Sequence, residues 1–134
     1  NLYQTVKGIS AADRIVEKGG TILVASECSD GVPDHGNFAE LMRSGTSPKE
    51  VLQWVHAQDR PVQDQWQAQI LAGILERVEV ILYSSLAPEE VEGCKLGSTD
   101  DLEACLDSRL ARAANPSVAV LPYGPLTIPY LEEN

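Results

Sequence analysis

The chain has 134 residues, of which 43% are hydrophobic and 22% charged, a balance that suits one globular domain with its own core. A formal net charge of −10, with no Lys/Arg cluster anywhere, excludes nucleic acid as a partner, because phosphate binding needs a basic stripe. Cys28, Cys94 and Cys105 form no CxxC pair, which argues against structural zinc or a disulfide framework and for reduced thiols in a cytoplasmic protein.

In chain order, residues 3–18 read as a helix: Val6, Ile9, Ile15 and Val16 recur at helical spacing and Gly19-Gly20 stops it. TILVAS, 21–26, reads as a buried strand, followed by the loop ECSDGVPDHGN and a short helix over 37–44. SPKE, 47–50, is a helix start with Ser47 as cap, Pro48 at the first helical position and Glu50 reaching back as in a capping box. That helix runs to about Ala57. Asp59 and Pro61 open the next, whose apolar face is Trp66, Ile70, Ile74 and Val78, with Leu71 and Leu75 beside it. VEVILYS, 78–84, is the second strand, Pro88 to Glu92 one helical turn, and Cys94 to Leu96 a short third strand. STDD, 98–101, caps a helix that would carry Leu102, Cys105, Leu106 and Leu110 inward. SVAVLPY, 117–123, reads as a last strand, and the tail GPLTIPYLEEN as an edge strand at most, given its prolines. No apolar run approaches the roughly 18 residues of a membrane span. The start, NLYQTVKG, lacks the apolar core of a signal peptide. Since the first residue is not Met, the chain is expected to be a fragment or a processed product.

Helices alternating with apolar strands imply an α/β fold: three layers, with a mostly parallel sheet of about four to five strands and helices on both faces, Rossmann-like. Helix N-termini and strand C-termini then share one edge, where ligands of open α/β sheets bind and where positive helix ends attract anions. The start of the first helix (Tyr3, Gln4, Lys7), the start of the fourth (Asp64, Trp66, Gln67) and the loop from Cys28 to His35 belong at that edge. Gln4 and Lys7, three apart, are neighbours on one helix face; an amide beside an ammonium suits a hydroxyl and a carboxylate. By themselves such residues are more often solvated surface, and a lone Trp66 more often packing.

Other patterns carry less. His35 lies near Glu27, Cys28, Asp30 and Asp34 at no metal-ligand spacing, so a polar turn is expected there, and His56 reads as helix surface. Ser84-Ser85 has no GxSxG context, and neither GxGxxG nor GxxxxGK[ST] occurs.

NLYQTVKG, then GGTILVASECSDG, then QDQWQAQI followed by a helix and VEVILYS resemble, in order and spacing, the C-terminal domain of the nickel-dependent lactate racemase family. The Q-x-x-K of YQTVKG and the Trp of D-x-W-Q-x-Q-I are its specific parts; the 30s loop and the tail from Gly124 match loosely. The resemblance implies that residues 1–134 are the C-terminal domain of a two-domain enzyme that interconverts stereoisomers of a 2-hydroxy acid by hydride transfer. It implies further that a nickel-pincer nucleotide sits in the N-terminal domain, held by a lysine and a histidine, with two more histidines as acid and base. None of these has a counterpart here, so this chain is expected to hold no cofactor and no metal, to contain no catalytic residue and to be inactive alone. Its partners would be its own N-terminal domain and a small 2-hydroxy acid. Lys7 would bind the carboxylate, Gln4 the substrate or its keto intermediate, and Trp66 would form apolar cleft wall, with Gln63 or Gln67 as polar rim. Two copies of the lone domain could pair through the face its partner would cover. Two other readings stand beside this one: a non-catalytic α/β domain that binds a small carboxylic acid, and a thiol-redox protein.

Overall fold

The structure, a computed structural model, describes residues 1–130. Its elements in chain order are α1 (Leu2–Asp13), β1 (Thr21–Ala25), α2 (Phe38–Arg43), α3 (Pro48–His56), α4 (Gln65–Leu75), β2 (Glu79–Tyr83), α5 (Pro88–Gly93), β3 (Gly97–Thr99) and α6 (Leu102–Arg112), followed by a 3-10 turn at Gly124–Leu126. The α/β class is the one expected. The sheet is parallel, in the order β1-β2-β3, with Ile22 opposite Val80 and Ile81 opposite Gly97.

Among the described residues the sheet has three strands, fewer than the four to five expected. SVAVLPY has the composition of a strand but finds no partner: Val118 and Val120 are 56% and 80% exposed. Pro116 precedes it and Pro122 lies within it, and neither supplies an N–H to a ladder. The third strand begins at Gly97 rather than Cys94, because Lys95 turns the chain with a φ of 65°. Of the tail expected as an edge strand, residues 124–130 contain the 3-10 turn and no strand, and residues 131–134 lie outside the described residues.

Alternation along β2 assigns the helical layers. Val80 and Leu82 join the main core with Leu2, Val6 and Ile9 of α1, Phe38 and Met42 of α2, and Leu71 of α4. Each such side chain, fully buried, stabilises by roughly 1.5–3 kcal/mol before chain entropy is counted. Glu79 and Ile81 point to the other face, where Arg109 of α6 donates to Glu79 at 2.9 Å. That face is thinly covered. No residue of α6 is buried, and Leu102 and Leu106, expected inward with Cys105 and Leu110, are 38% and 37% exposed. A three-stranded sheet is too narrow to seal a second helical layer.

Local chemistry explains the helix ends. Asn1 caps α1, its Oδ1 accepting from the Gln4 N–H at 3.1 Å. The helix stops at Asp13, short of the expected 18; Val16 leaves it to pack on the core, and Gly19, at φ 82°, donates its N–H to the Arg77 carbonyl at 2.8 Å. Ser47 caps α3 as expected, accepting from the Glu50 N–H at 3.3 Å. Glu50 reaches one residue further back than a capping box requires, accepting from the Thr46 N–H at 2.6 Å and its hydroxyl at 2.9 Å.

The α4 stripe is rotated from the one expected. Gln67, Ala68, Leu71, Ala72 and Ile74 are buried, while Trp66 and Ile70 are 52% and 39% exposed. Two adjacent apolar stripes run along this helix, and α1, α2 and α3 cover only one of them. Among the described residues no helix is long and apolar enough to cross a membrane.

Candidate functional site

The parallel strands end together at Ala25, Tyr83 and Thr99, and the loop leaving β1 wraps the start of α1. The Leu2 N–H donates to the Gly31 carbonyl at 3.1 Å, and the hydroxyls of Thr5 and Ser26 lie 2.8 Å apart. The same loop reaches α4: the Asn37 amide donates to the Gln63 carbonyl at 3.2 Å, and Gly36, at φ 75°, lies so close to the Asp64 carboxylate that a Cβ there would overlap it. The segments assigned to one edge by sequence reasoning do meet there.

Tyr3 links the helix start that carries Gln4 and Lys7 to the one that carries Trp66. Gln67, 1% exposed, donates from Nε2 to the Tyr3 carbonyl at 2.8 Å and so ties the first turn of α4 to the first turn of α1. The Tyr3 ring meets Phe38 edge-on at 5.5 Å and Trp66 edge-on at 6.0 Å. Ser10 and Trp66 line one shallow groove of about 510 Å³ with Asp13, Ile70 and Gly73. Lys7 stands four residues after Tyr3 and three before Ser10, on the same side of α1. Gln4 and Lys7 are both exposed. Gln67, expected as polar rim, is instead the buried tie; Gln63 is exposed and stays at the rim.

Backbone donors at the start of α1 are largely committed: Leu2 to Gly31 and Gln4 to Asn1. The exposed polar groups at the start of α1 are the Gln4 amide and the Lys7 ammonium, and its first turn holds no acidic residue. Asp64 is the nearby counter-charge. It occupies the cap position of α4 in the left-handed region, φ 63°, and makes no capping bond. Burial first, and then the Asp64 carboxylate, push the Tyr3 hydroxyl above its ordinary pKa and keep it protonated.

A feature not singled out by sequence reasoning is the return of the tail. The Gly124–Leu126 turn packs on α1, where a Cβ at Gly8 would stand 3.5 Å from Pro125 Cδ, so the tail borders the Gln4–Lys7 strip opposite Trp66. The uncharged run over 113–130 was the available signal. A second hollow lies at the ends of β1 and β2, lined by Ser26, Glu27, Tyr83, Ser84 and Ser85, where the Ser85 hydroxyl donates to the Glu27 carbonyl at 2.6 Å.

Among the described residues no group of three His, Cys, Asp or Glu side chains could hold a metal ion. The His35 side chain is 81% exposed, 3.8 Å from Asp34, and His56 Nε2 lies 3.4 Å from the Gln69 amide.

At the strand C-terminal edge of this α/β layer lie the starts of α1 and α4, with the Gln4 amide and the Lys7 ammonium exposed on the first and the Trp66 indole on the second. The family model "Lactate racemase C-terminal domain" matches residues 1–128, and the chain belongs to that family. It is 33% identical over 128 residues to a lactate racemase of Lactiplantibacillus plantarum, covering 92% of this chain and 30% of that protein. With a lactate racemase of Thermoanaerobacterium thermosaccharolyticum it shares 38% identity over 84 residues, covering 61% of this chain and 20% of the relative. The solved lactate racemase apoprotein from T. thermosaccharolyticum superposes with a TM-score of 0.76 at 32% identity, over 86% of this chain and 28% of that one. The chain thus spans less than a third of the length of the relatives it matches.

Proposed function

We propose that residues 1–134 are the cleft-closing C-terminal domain of a cytoplasmic, nickel-pincer-nucleotide-dependent racemase or epimerase of a 2-hydroxy acid. The observation that carries this reading is the shared edge: Gln4 and Lys7 exposed on the opening turns of α1, with Trp66 tied beside them through Tyr3 and Gln67. Lys7 binds the substrate carboxylate, Gln4 accepts from or donates to the hydroxyl or keto oxygen, and Trp66 walls off water. In a chain of net charge −10 an anion is repelled at distance, so recognition depends on this local cation once the anion is within a Debye length, about 8 Å in physiological salt. Hydride transfer at Cα belongs to the N-terminal domain, which would hold the nickel cofactor and its acid/base histidines. This chain alone binds the acid weakly and turns nothing over.

The test is a protein extended through its N-terminal domain, matured with nickel and assayed with single enantiomers of several 2-hydroxy acids. Lys7→Ala is expected to lower kcat/KM by about tenfold or more, since it removes a charge–charge contact that strengthens as the cleft dries. Unchanged kinetics would remove Lys7 from the site.

A further inference from the structure

Residues 113–130 carry no Asp, Glu, Lys or Arg, in a chain in which 22% of residues are charged. The same stretch holds the most exposed large apolar side chains described: Val120 at 80%, Tyr123 at 75%, Leu126 at 85%, Ile128 at 82% and Tyr130 at 78%. Single exposed apolar residues are ordinary on a protein surface, but a contiguous run of them marks a contact surface. Absence of charge together with enrichment in tyrosine is the composition of an interface core. Pro116, Pro122, Pro125 and Pro129 restrict the backbone of the strip, so that docking orders little that is not already ordered.

The position of the strip selects its occupant. It is anchored at Gly8, one residue from Lys7, and continues the face of α1 that carries Gln4 and Lys7. In the functional reading above, on which this inference rests, the body that closes over Lys7 is the portion of the enzyme outside this chain. The lactate racemases matched carry most of their length in such a portion, since this chain spans 20% and 30% of them. We infer that residues 117–130 are the surface on which that portion docks, so that one body covers both the tail and the substrate face. The docking partner presents an apolar, uncharged groove, and the strip sets how the domain closes over Lys7.

Hydrogen–deuterium exchange on the 134-residue chain and on the protein extended through its N-terminal domain tests this. Tail amides are expected to exchange at least about tenfold more slowly in the longer protein, and a paired Val120→Asp, Ile128→Asp variant to abolish that protection. The same variant should leave the melting temperature of the 134-residue chain unchanged, because both side chains are exposed there. Equal exchange in the two proteins would overturn the inference. So would tail protection that appears in the shorter chain with rising concentration, which would make a second copy the occupant, or a lowered melting temperature of the variant, which would make the tail part of the core. The exchange readout needs no turnover. A protected tail in a protein that racemises nothing would remove the functional reading and leave the docking surface standing.

Discussion

Gln67 offers the sharpest test of how the site is held. Its side chain is 1% exposed, and its Nε2 donates to the Tyr3 carbonyl at 2.8 Å, a buried polar tie between the helix carrying Trp66 and the helix carrying Gln4 and Lys7. Gln67→Ala removes a hydrogen bond worth about 1 kcal/mol and leaves a cavity beneath Tyr3, costing about 2 kcal/mol more, for a total of about 3 kcal/mol. In a chain of this size that lowers the melting temperature by about 10 °C. Gln67→Leu keeps most of the volume, and the Tyr3 carbonyl retains its helical partner, so that variant is expected to cost only about 1 kcal/mol. Urea unfolding followed by circular dichroism measures both, and Trp66 fluorescence reports whether the indole still packs on Tyr3. If the two variants cost the same, the amide contributes nothing beyond packing. If Gln67→Ala costs less than about 1 kcal/mol, the residue is not the buried tie described.

Gly36→Ala should destabilise by about 2 kcal/mol or more: the φ of 75° disfavours any Cβ, and this one would press on the Asp64 carboxylate. Gly31→Ala, at a φ of 72° but with nothing within 4 Å, should cost only the backbone strain, so equal losses in thermal melts would deny the Gly36–Asp64 contact. Bonds from the Thr46 N–H and hydroxyl hold the Glu50 carboxyl below its ordinary pKa. A depressed carboxylate stabilises above its unfolded pKa, and that stabilisation is lost as pH falls through the folded one. The stability gap between the native chain and Glu50→Gln should therefore be full near neutral pH and close in acid; a gap that persists in acid would point to packing instead. Cys94 is fully buried, and burial raises its thiol above the ordinary value, while Cys28 is 4% exposed. Both should label with a thiol reagent only after denaturant is added, Cys105 without it; rapid labelling of Cys28 or Cys94 would revive a redox reading.

Much of the site was legible because its signals are local. SPKE announces a cap, and the structure uses Ser47 as one. Strand–helix alternation puts the starts of α1 and α4 at one edge whatever the details of packing, so Gln4, Lys7 and Trp66 could be brought together before any coordinates. Composition alone determined that the chain is acidic and carries no Lys/Arg cluster.

Tertiary structure decided what periodicity leaves degenerate. The sequence of α4 offers two apolar stripes, and only the positions of α1, α2 and α3 chose the one through Gln67, Leu71 and Ile74, turning Trp66 and Ile70 outward. Likewise β-propensity describes a segment but not its partner: SVAVLPY is as strand-like as TILVAS, yet a strand exists only where another backbone accepts its hydrogen bonds, and the described chain provides none for 117–123. Gln67 shows the same limit in a polar residue. An exposed rim and a buried clamp use the same amide, and only the carbonyl of Tyr3, far away in sequence and 2.8 Å away in space, distinguishes them.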